Sequence, residues 1–595
     1  MNFFEFRFKL NIHTILSVGV YLFFALIVYG QDHNHMHHDL GDEEDKYYRI
    51  ATVAIPDSIK LEVSGMAELP DQRLAVSTRM GELWIIENAT MENNSKPIFK
   101  LFASGLHTPL GLAYRDKAFF VAQRAELTKI TDTNGDDIAD KFETITTWPL
   151  SGNYCEYNHG PILPPDGNFY INFNLGDNGM GASSEPFYGE MGSHAAWRGW
   201  MVQVTPEGKL NPYAAGLRSP AGIGVNSIGD VFYTENQGGW VGTGYLSHVE
   251  KGDFFGHPSS LKSANLPGSP VKIDTSQVPR DKPLLHEMVD RLPGFKMPSV
   301  RFPHGILGTS LTGFVPDTTN GKFGPFTDQL FVGDEGQANI MRVFLEKVNG
   351  AYQGAVFPFK KGFESGILRM NGASDNSIYV GMSDRGWHSS GPKRYGLQRL
   401  VWTGEIPFEI KTIKAQSDGF ELEFTMPINE KTAIDPNNYQ ITSFDYAYQQ
   451  KYGSDLYEKK EGKIKAVKIS NSGKNVRIVL DELRKGFIYE IKCSGIKSAK
   501  GNPLLHDFGF YSLNNIPIGN PLTLDDSVTQ FHDVEIEEKT VKKTPKKQVV
   551  KQANNQRILT KTSSLKKNQN SVPADWVNGP DMTITIGVKP GFIFP

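Results

Sequence analysis

The sequence predicts an all-β protein: a propeller of six blades followed by a small β-sandwich. Three observations lead there. One unit recurs six times at irregular spacing: a small or glycine-bearing apolar step, a short turn, an alternating apolar strand, and often a second strand. The strands run four to six residues between Asp/Asn/Gly turns, with no convincing amphipathic helix between them. The composition, 59 glycines and 11% aromatics in 595 residues, suits a turn-rich β chain better than a helical one.

The elements follow in order. Arg7 and Lys9 precede a largely apolar run from Ile15 to Tyr29 that ends in Gly30-Gln31. A positive start, a core of about 15 residues and a small residue at its end read as a secretory signal peptide over 1–31, because a membrane span needs about 20. Residues 32–45 form a histidine-rich leader (His33, His35, His37, His38) with no carboxylate or cysteine at ligand spacing. The propeller occupies 46–404. Its repeats open near "GMAELPDQRLAVSTRMGELWII" (Gly65), "LGLAYRDKAFFVAQRAELTKI" (Leu110) and "HGPILPPDGNFYINF" (His159). They continue at "AGIGVNSIGDVFYTEN" (Ala221), "HGILGTSLTGFVP" (His304) and "SGILRMNGASDNSIYVGMSD" (Ser365). No such unit can bury both faces alone, so six must pack in a ring. In 405–516, "FEIKTIKAQSDGFELEFTMPIN" and "IKAVKISNSGKNVRIVLDEL" are paired alternating strands joined by Ser-Asp-Gly and Ser-Gly-Lys turns, as in a sandwich. A linker covers 517–570, lysine-rich and disordered in its latter part. Residues 571–595 end in "MTITIGVKPGFIFP", a strand able to dock.

Bulk properties narrow the function. A formal charge of −4 gives no global basic field for nucleic acid. Cys155 and Cys493 are too few and too far apart for a disulfide framework or a thiolate zinc site. No phosphate-cradling glycine loop, Gly-x-Ser-x-Gly elbow, His-Glu-x-x-His or Cys-x-x-Cys-His haem site occurs. The Asn88 and Asn93 triplets fit glycan-acceptor rules, which matter only in a glycosylating host.

Propeller function sits where loops from every blade converge at the channel mouth. His159, Arg218, His304, Arg369, Arg385 and Lys393 fall where inner strands begin or end. His159 begins a strand between Asn158 and Gly160, which favours a base aimed into a site over a packed structural imidazole. Arg218 is pinned by a following Pro and Gly, with an inter-blade ion pair as the plain alternative. In "DTNGDDIADKFE", oxygens at Asp132, Asn134, Asp136, Asp140 and Glu143 have the rhythm of a calcium loop. Its sixth position, Asp137, is not glycine, so the expectation is a structural calcium between blade strands rather than a helix-flanked site. Trp197, Trp200, Trp240 and Trp387 lie near loops and suit sugar stacking or core packing.

"NHGPILPPDGNFYINFNLGDNG" and "GLRSPAGIGVNSIGDVFYTENQGGW" resemble the soluble quinoprotein glucose/sorbosone dehydrogenases. "ENQGGWVGTGYLSHVEKGDFFGHP" and "DRGWHSSGPKRYGLQRLVW" are similar to a branch of large secreted bacterial proteins known as membrane-bound dehydrogenases. The likeness covers most of 46–404, and the following sandwich looks like a bacterial Ig-like module. What the resemblance implies is oxidation of a sugar or alcohol hydroxyl by pyrroloquinoline quinone with calcium. His159 would take the hydroxyl proton and Arg218 would sit beside the quinone, with Arg369, Arg385 and Lys393 as further cationic anchors. A separate acceptor such as a cytochrome c would receive the electrons, since the chain has no haem motif. The substrate would be a small sugar or a polysaccharide, and the setting periplasmic or envelope-associated. The chain departs from the pattern at Gly336-Gln337, where the family keeps a lysine, and at Phe363-Glu364-Ser365, where it keeps two arginines. The rival expectation is a non-catalytic propeller that binds carbohydrate or protein and has lost the quinone.

Overall fold

The computed structural model describes residues 41–178, 189–385, 388–524 and 528–530. The expected signal peptide, most of the leader, Trp387, the lysine-rich part of the linker and the C-terminal segment lie outside the described residues. Six antiparallel blades follow one another, five of them four-stranded sheets and the fifth the first four strands of an eight-stranded sheet. Their inner strands are Val63–Glu68, Ala113–Arg115, Asn158–Ile162, Gly222–Val225, Leu311–Pro316 and Ile367–Gly372, opening blades 1 to 6. Each neighbours the next, and the sixth packs on the first, so the ring closes. All six line one central cavity of about 300 Å³. The sixth blade takes its outer strand, Tyr48–Thr52, from the start of the chain, paired in register from Tyr48 with Trp402 to Thr52 with Gln398. This closing strand joins the two ends of the ring through main-chain hydrogen bonds.

The recurring glycine step has a steric cause. A Cβ at Gly111 would lie 2.3 Å from the Gly160 carbonyl oxygen, and one at Gly222 would lie 2.1 Å from that of Thr312. Six strands can converge on one axis only where side chains are absent at the contact. In the alternating strand Phe169–Phe173 every residue is buried. Phe169, Ile171 and Phe173 pack on blade 2 through Phe120 and Trp148. Tyr170 joins the cluster of blade 4 on the other face. A blade is covered on both sides by its neighbours.

The second unit is a two-sheet sandwich continuous with the propeller. Ala351–Lys360, the outer strand of blade 5, pairs with Phe508–Ser512 and so extends into Ile488–Lys492, Gln440–Tyr446 and Leu456–Glu461. The opposing sheet holds Ile410–Gln416, Gly419–Phe424, Asn475–Leu480, Ile464–Ile469 and Thr529–Gln530. Ala355 and Phe357 of blade 5 share a core with Ile413, Phe420, Ile478 and Tyr489. Residues 404 and 405 therefore mark a change of sheet within one hydrophobic body. Among the described residues, no helix is long and apolar enough to cross a membrane.

Candidate active site

In every blade the start of the inner strand faces the end of the second strand across the ladder, as Val63 does Thr78, His159 does Asn172 and Gly222 does Thr234. Residues just before inner strands and just after second strands therefore gather at one end of the channel. His159 belongs to this end. Asn158 fixes its strand by donating to the carbonyls of Gln123 and Arg124 and accepting from Arg198 at 2.7 Å. Gly160 has φ of +118°, a conformation that favours glycine, and its N–H donates to the Leu110 carbonyl. The imidazole is thereby held with 5% exposure.

Arg369 reaches His159 from the opposite side of the ring, 210 residues away in sequence. Its guanidinium donates to the carbonyls of Leu110 at 2.7 Å, Leu368 at 2.8 Å and Ala221 at 2.9 Å, and to His159 Nδ1 at 2.8 Å. It thus ties blades 2, 3, 4 and 6 at the upper end of the central cavity, which it helps to line. A guanidinium only donates, so Nδ1 is the accepting nitrogen and the proton of the neutral ring lies on Nε2. Burial, then the Arg369 and Arg79 charges, hold the imidazole well below its ordinary value. Burial, with Arg79, brings the Arg369 guanidinium down to about 9.

Two further arginines complete this end. Arg79 and Arg124 lie over the Tyr157 ring at 5.2 and 5.3 Å. The Tyr157 ring is 6.5 Å from that of His159. Arg79 donates to the Arg385 carbonyl, while Arg124 donates to the carbonyls of Asn153 and Tyr154. Among the described residues, Arg79, Arg124 and Arg369 have no carboxylate partner. Arg79 Nε, Asn172 Oδ1, Asn174 Oδ1, Asn236 Oδ1 and Ser365 Oγ are buried around the same opening without a hydrogen-bond partner. These are buried polar groups that the chain itself does not satisfy.

The other predicted cations are engaged elsewhere. Arg218 pairs with Glu190 at 2.9 Å and lies 5.1 Å over the Tyr452 ring. Burial opposes its charge, but Tyr452, Glu190 and Glu235 together keep its guanidinium above the ordinary value. Its backbone N–H and that of Ser219 donate to Glu235, whose carboxyl burial pushes up to about 7. Arg385 pairs with Glu62 and Lys393 with Glu364. His304 is exposed. The four predicted anchors do not act as one set: Arg369 meets His159, and the other three are neutralised by carboxylates.

The residues of the calcium expectation make the following contacts with the chain itself. Asp132 accepts the N–H groups of Asn134, Gly135 and Asp137, and Asp140 accepts from Thr133. Asn134 and Asp136 cap the N–H groups of Asp136 and Ile138. Glu143 turns to Lys141 at 2.9 Å and Lys129 at 3.9 Å. These oxygens serve a tight turn, and no group of three or more ligating side chains gathers around a point among the described residues. The tryptophans pack: Trp200 and Trp240 are buried, and Trp197 meets Trp200 edge-on at 5.1 Å.

Comparison with known proteins adds the following. A domain of unknown function, DUF7133, matches residues 81–283. No curated protein matches the chain. Among solved structures, an oxidoreductase described as a glucose dehydrogenase from Thermus thermophilus is 17% identical, with a TM-score of 0.43, covering 60% of this chain and 100% of that one. The PQQ-bound aldose sugar dehydrogenase from Streptomyces coelicolor is 14% identical, with a TM-score of 0.41 and coverages of 60% and 98%. The apo soluble aldose sugar dehydrogenase from Escherichia coli is also 14% identical, with a TM-score of 0.41 and coverages of 60% and 99%.

Proposed function

We propose that the protein oxidises a hydroxyl group of a sugar or related alcohol at this end of the channel, with a tricarboxylate quinone as the oxidant. The observation that carries the reading is the meeting of three carboxylate-free guanidiniums, Arg79, Arg124 and Arg369, with a buried neutral imidazole. Such a donor set suits a ligand bearing several carboxylates, at about 1.5–3 kcal/mol for each charge-assisted bond. The buried, unpartnered Arg79 Nε is one donor left for it. When bound, the quinone supplies the hydride acceptor.

His159 has a defined part. While Arg369 donates to Nδ1, the ring offers Nε2–H and can only donate to a hydroxyl. An anionic ligand that draws Arg369 from Nδ1 lets the ring carry its proton there, leaving Nε2 free to accept the hydroxyl proton. In this reading Arg369 makes the base available only when the acidic ligand is present. Electrons leave to a separate acceptor, and the protein works in the periplasm or envelope after export by residues 1–31. Calcium has no residues assigned to it in this reading.

A second reading, a propeller that binds an acidic saccharide or a protein without oxidising it, is favoured by the neutralisation of Arg218, Arg385 and Lys393. Reconstitution separates the two. Purified full chain is mixed with pyrroloquinoline quinone, with and without calcium, and assayed for dye reduction against a sugar panel. Sugar-dependent dye reduction that falls at least about a hundredfold in His159→Gln supports oxidation. Saturable sugar binding with no dye reduction supports the second reading.

A further inference from the structure

The glycine-rich "QGGWVGTG" segment, Gln237 to Gly244, has no part in the chemistry above, yet it is built with unusual care. It is the seat for a hairpin from the second unit. Trp240 pairs with Gln449 and Val241 with Tyr448 in a two-stranded ladder. Gly453 N–H donates to the Gly238 carbonyl, and the Tyr448 hydroxyl donates to the Gly256 carbonyl at 2.6 Å. Three of its glycines are required by what lies on them. A Cβ at Gly238 would come within 2.3 Å of Arg218 Cδ, one at Gly239 within 2.7 Å of the Gln450 carbonyl, and one at Gly242 within 2.4 Å of Ser454 Cβ.

The hairpin carries Tyr452 to the channel end. One face of that ring covers Arg218, fixed in turn by Glu190, and the side chain is still 46% exposed. Tyr154, in the loop before the inner strand of blade 3, is 67% exposed and meets Tyr157 edge-on at 5.7 Å. Tyr157 is the ring flanked by Arg79 and Arg124. Asn153, next to Tyr154, donates to the Asp177 carbonyl at 2.8 Å, and the nearby Leu175 N–H donates to the Arg218 carbonyl, which sets the two tyrosines on neighbouring parts of one rim. Exposed aromatic rings set among polar groups match a pyranose, which has an apolar C–H face and a hydroxyl edge.

We infer that Tyr452 and Tyr154 form outer subsites for sugar rings beyond the one at His159, so that the ligand is an oligosaccharide and the second unit supplies part of its binding site. This rests on the sugar reading of the channel end but not on oxidation there. The test is direct binding to the full chain without quinone, by calorimetry, using glucose and its α-1,4-linked and β-1,4-linked oligomers of two to six units. In at least one series, affinity is expected to rise about tenfold or more with length. That rise is expected to vanish in Tyr452→Ala and survive in Tyr452→Phe, where the ring is kept. Gly242→Val, which lifts the hairpin from its seat, is expected to act like Tyr452→Ala. No rise with length in either series, or a rise unchanged in Tyr452→Ala, overturns the inference. Length-dependent binding without dye reduction in the reconstitution assay would remove the oxidation reading and leave this one standing.

Discussion

Replacing His506 should remove a pH-dependent clamp that holds the propeller closed. Its Nδ1 lies 2.7 Å from Glu409 Oε1 and its Nε2 lies 3.1 Å from Glu44 Oε1, with the imidazole buried. Glu44 immediately precedes the region of the closing strand Tyr48–Thr52, whereas Glu409 and His506 belong to the second unit. Burial disfavours the imidazolium, but Glu409 and Glu44 outweigh it and raise the ring from 6.5 to about 9. At about 1.4 kcal/mol per tenfold change in proton affinity, the difference amounts to about 3 kcal/mol. The folded state binds this proton more tightly than the unfolded chain. The contribution is thus complete below about pH 6.5 and is lost as pH rises through about 9. Urea unfolding of wild type and His506→Gln, followed from about pH 6 to about pH 10, measures it. The variant also leaves two carboxylates without their shared cation, so it is less stable at low pH. The diagnostic quantity is the gap between the proteins, expected to narrow by about 3 kcal/mol across the range. A gap that stays constant with pH would refute the reasoning, because it would mean that His506 is neutral in the folded protein.

Gly222→Ala is expected to destabilise the fold by about 3 kcal/mol, at the upper end for overpacking, because its Cβ would strike the Thr312 carbonyl at 2.1 Å; urea unfolding reads this. Calcium added after chelation should leave the melting temperature unchanged, since the Asp132–Asp140 oxygens already accept backbone N–H groups; a clear rise in calorimetry would show calcium binding to the fold. Arg369→Met should raise the pKa of His159, because a neighbouring cation is lost while burial still holds it below the ordinary imidazole range. Nitrogen-15 NMR of the ring, identified by its disappearance in His159→Gln, reads that change. In wild type the same spectrum should place the proton on Nε2.

The ring of blades was legible because its causes are local. Close approach at the axis demands glycine at each inner strand, and tight turns demand Asp, Asn or Gly beside it. The closing strand at residues 48–52 was not legible as such, since its partner lies some 350 residues away in the chain. His159 stood out through its neighbours Asn158 and Gly160, both of which position it. Its contact with Arg369 did not, because only the closure of the ring brings them together. Arg79 and Arg124 were missed although a signal existed: "STRMGEL" and "AQRAEL" place an arginine one or two residues past the second strand of successive repeats. Aligning the repeats on these turns, rather than on their glycine steps, would have exposed both. The calcium rhythm does not separate two readings, because Asx turns and calcium loops share oxygen spacing. Here the oxygens cap their own turn, and Glu143, placed by the strand, turns to lysines.

The account depends most on the acidic ligand being read by guanidiniums that have no carboxylate of their own. Equilibrium titration of the purified full chain with pyrroloquinoline quinone, followed by absorbance before any sugar is added, tests this directly. The prediction is saturable binding that weakens at least about tenfold in Arg369→Met and again in Arg79→Met, one charge-assisted bond each. Lys393→Met, whose charge Glu364 already neutralises, should bind as wild type does. Absence of saturable binding, or equal affinity in all four proteins, would contradict the account.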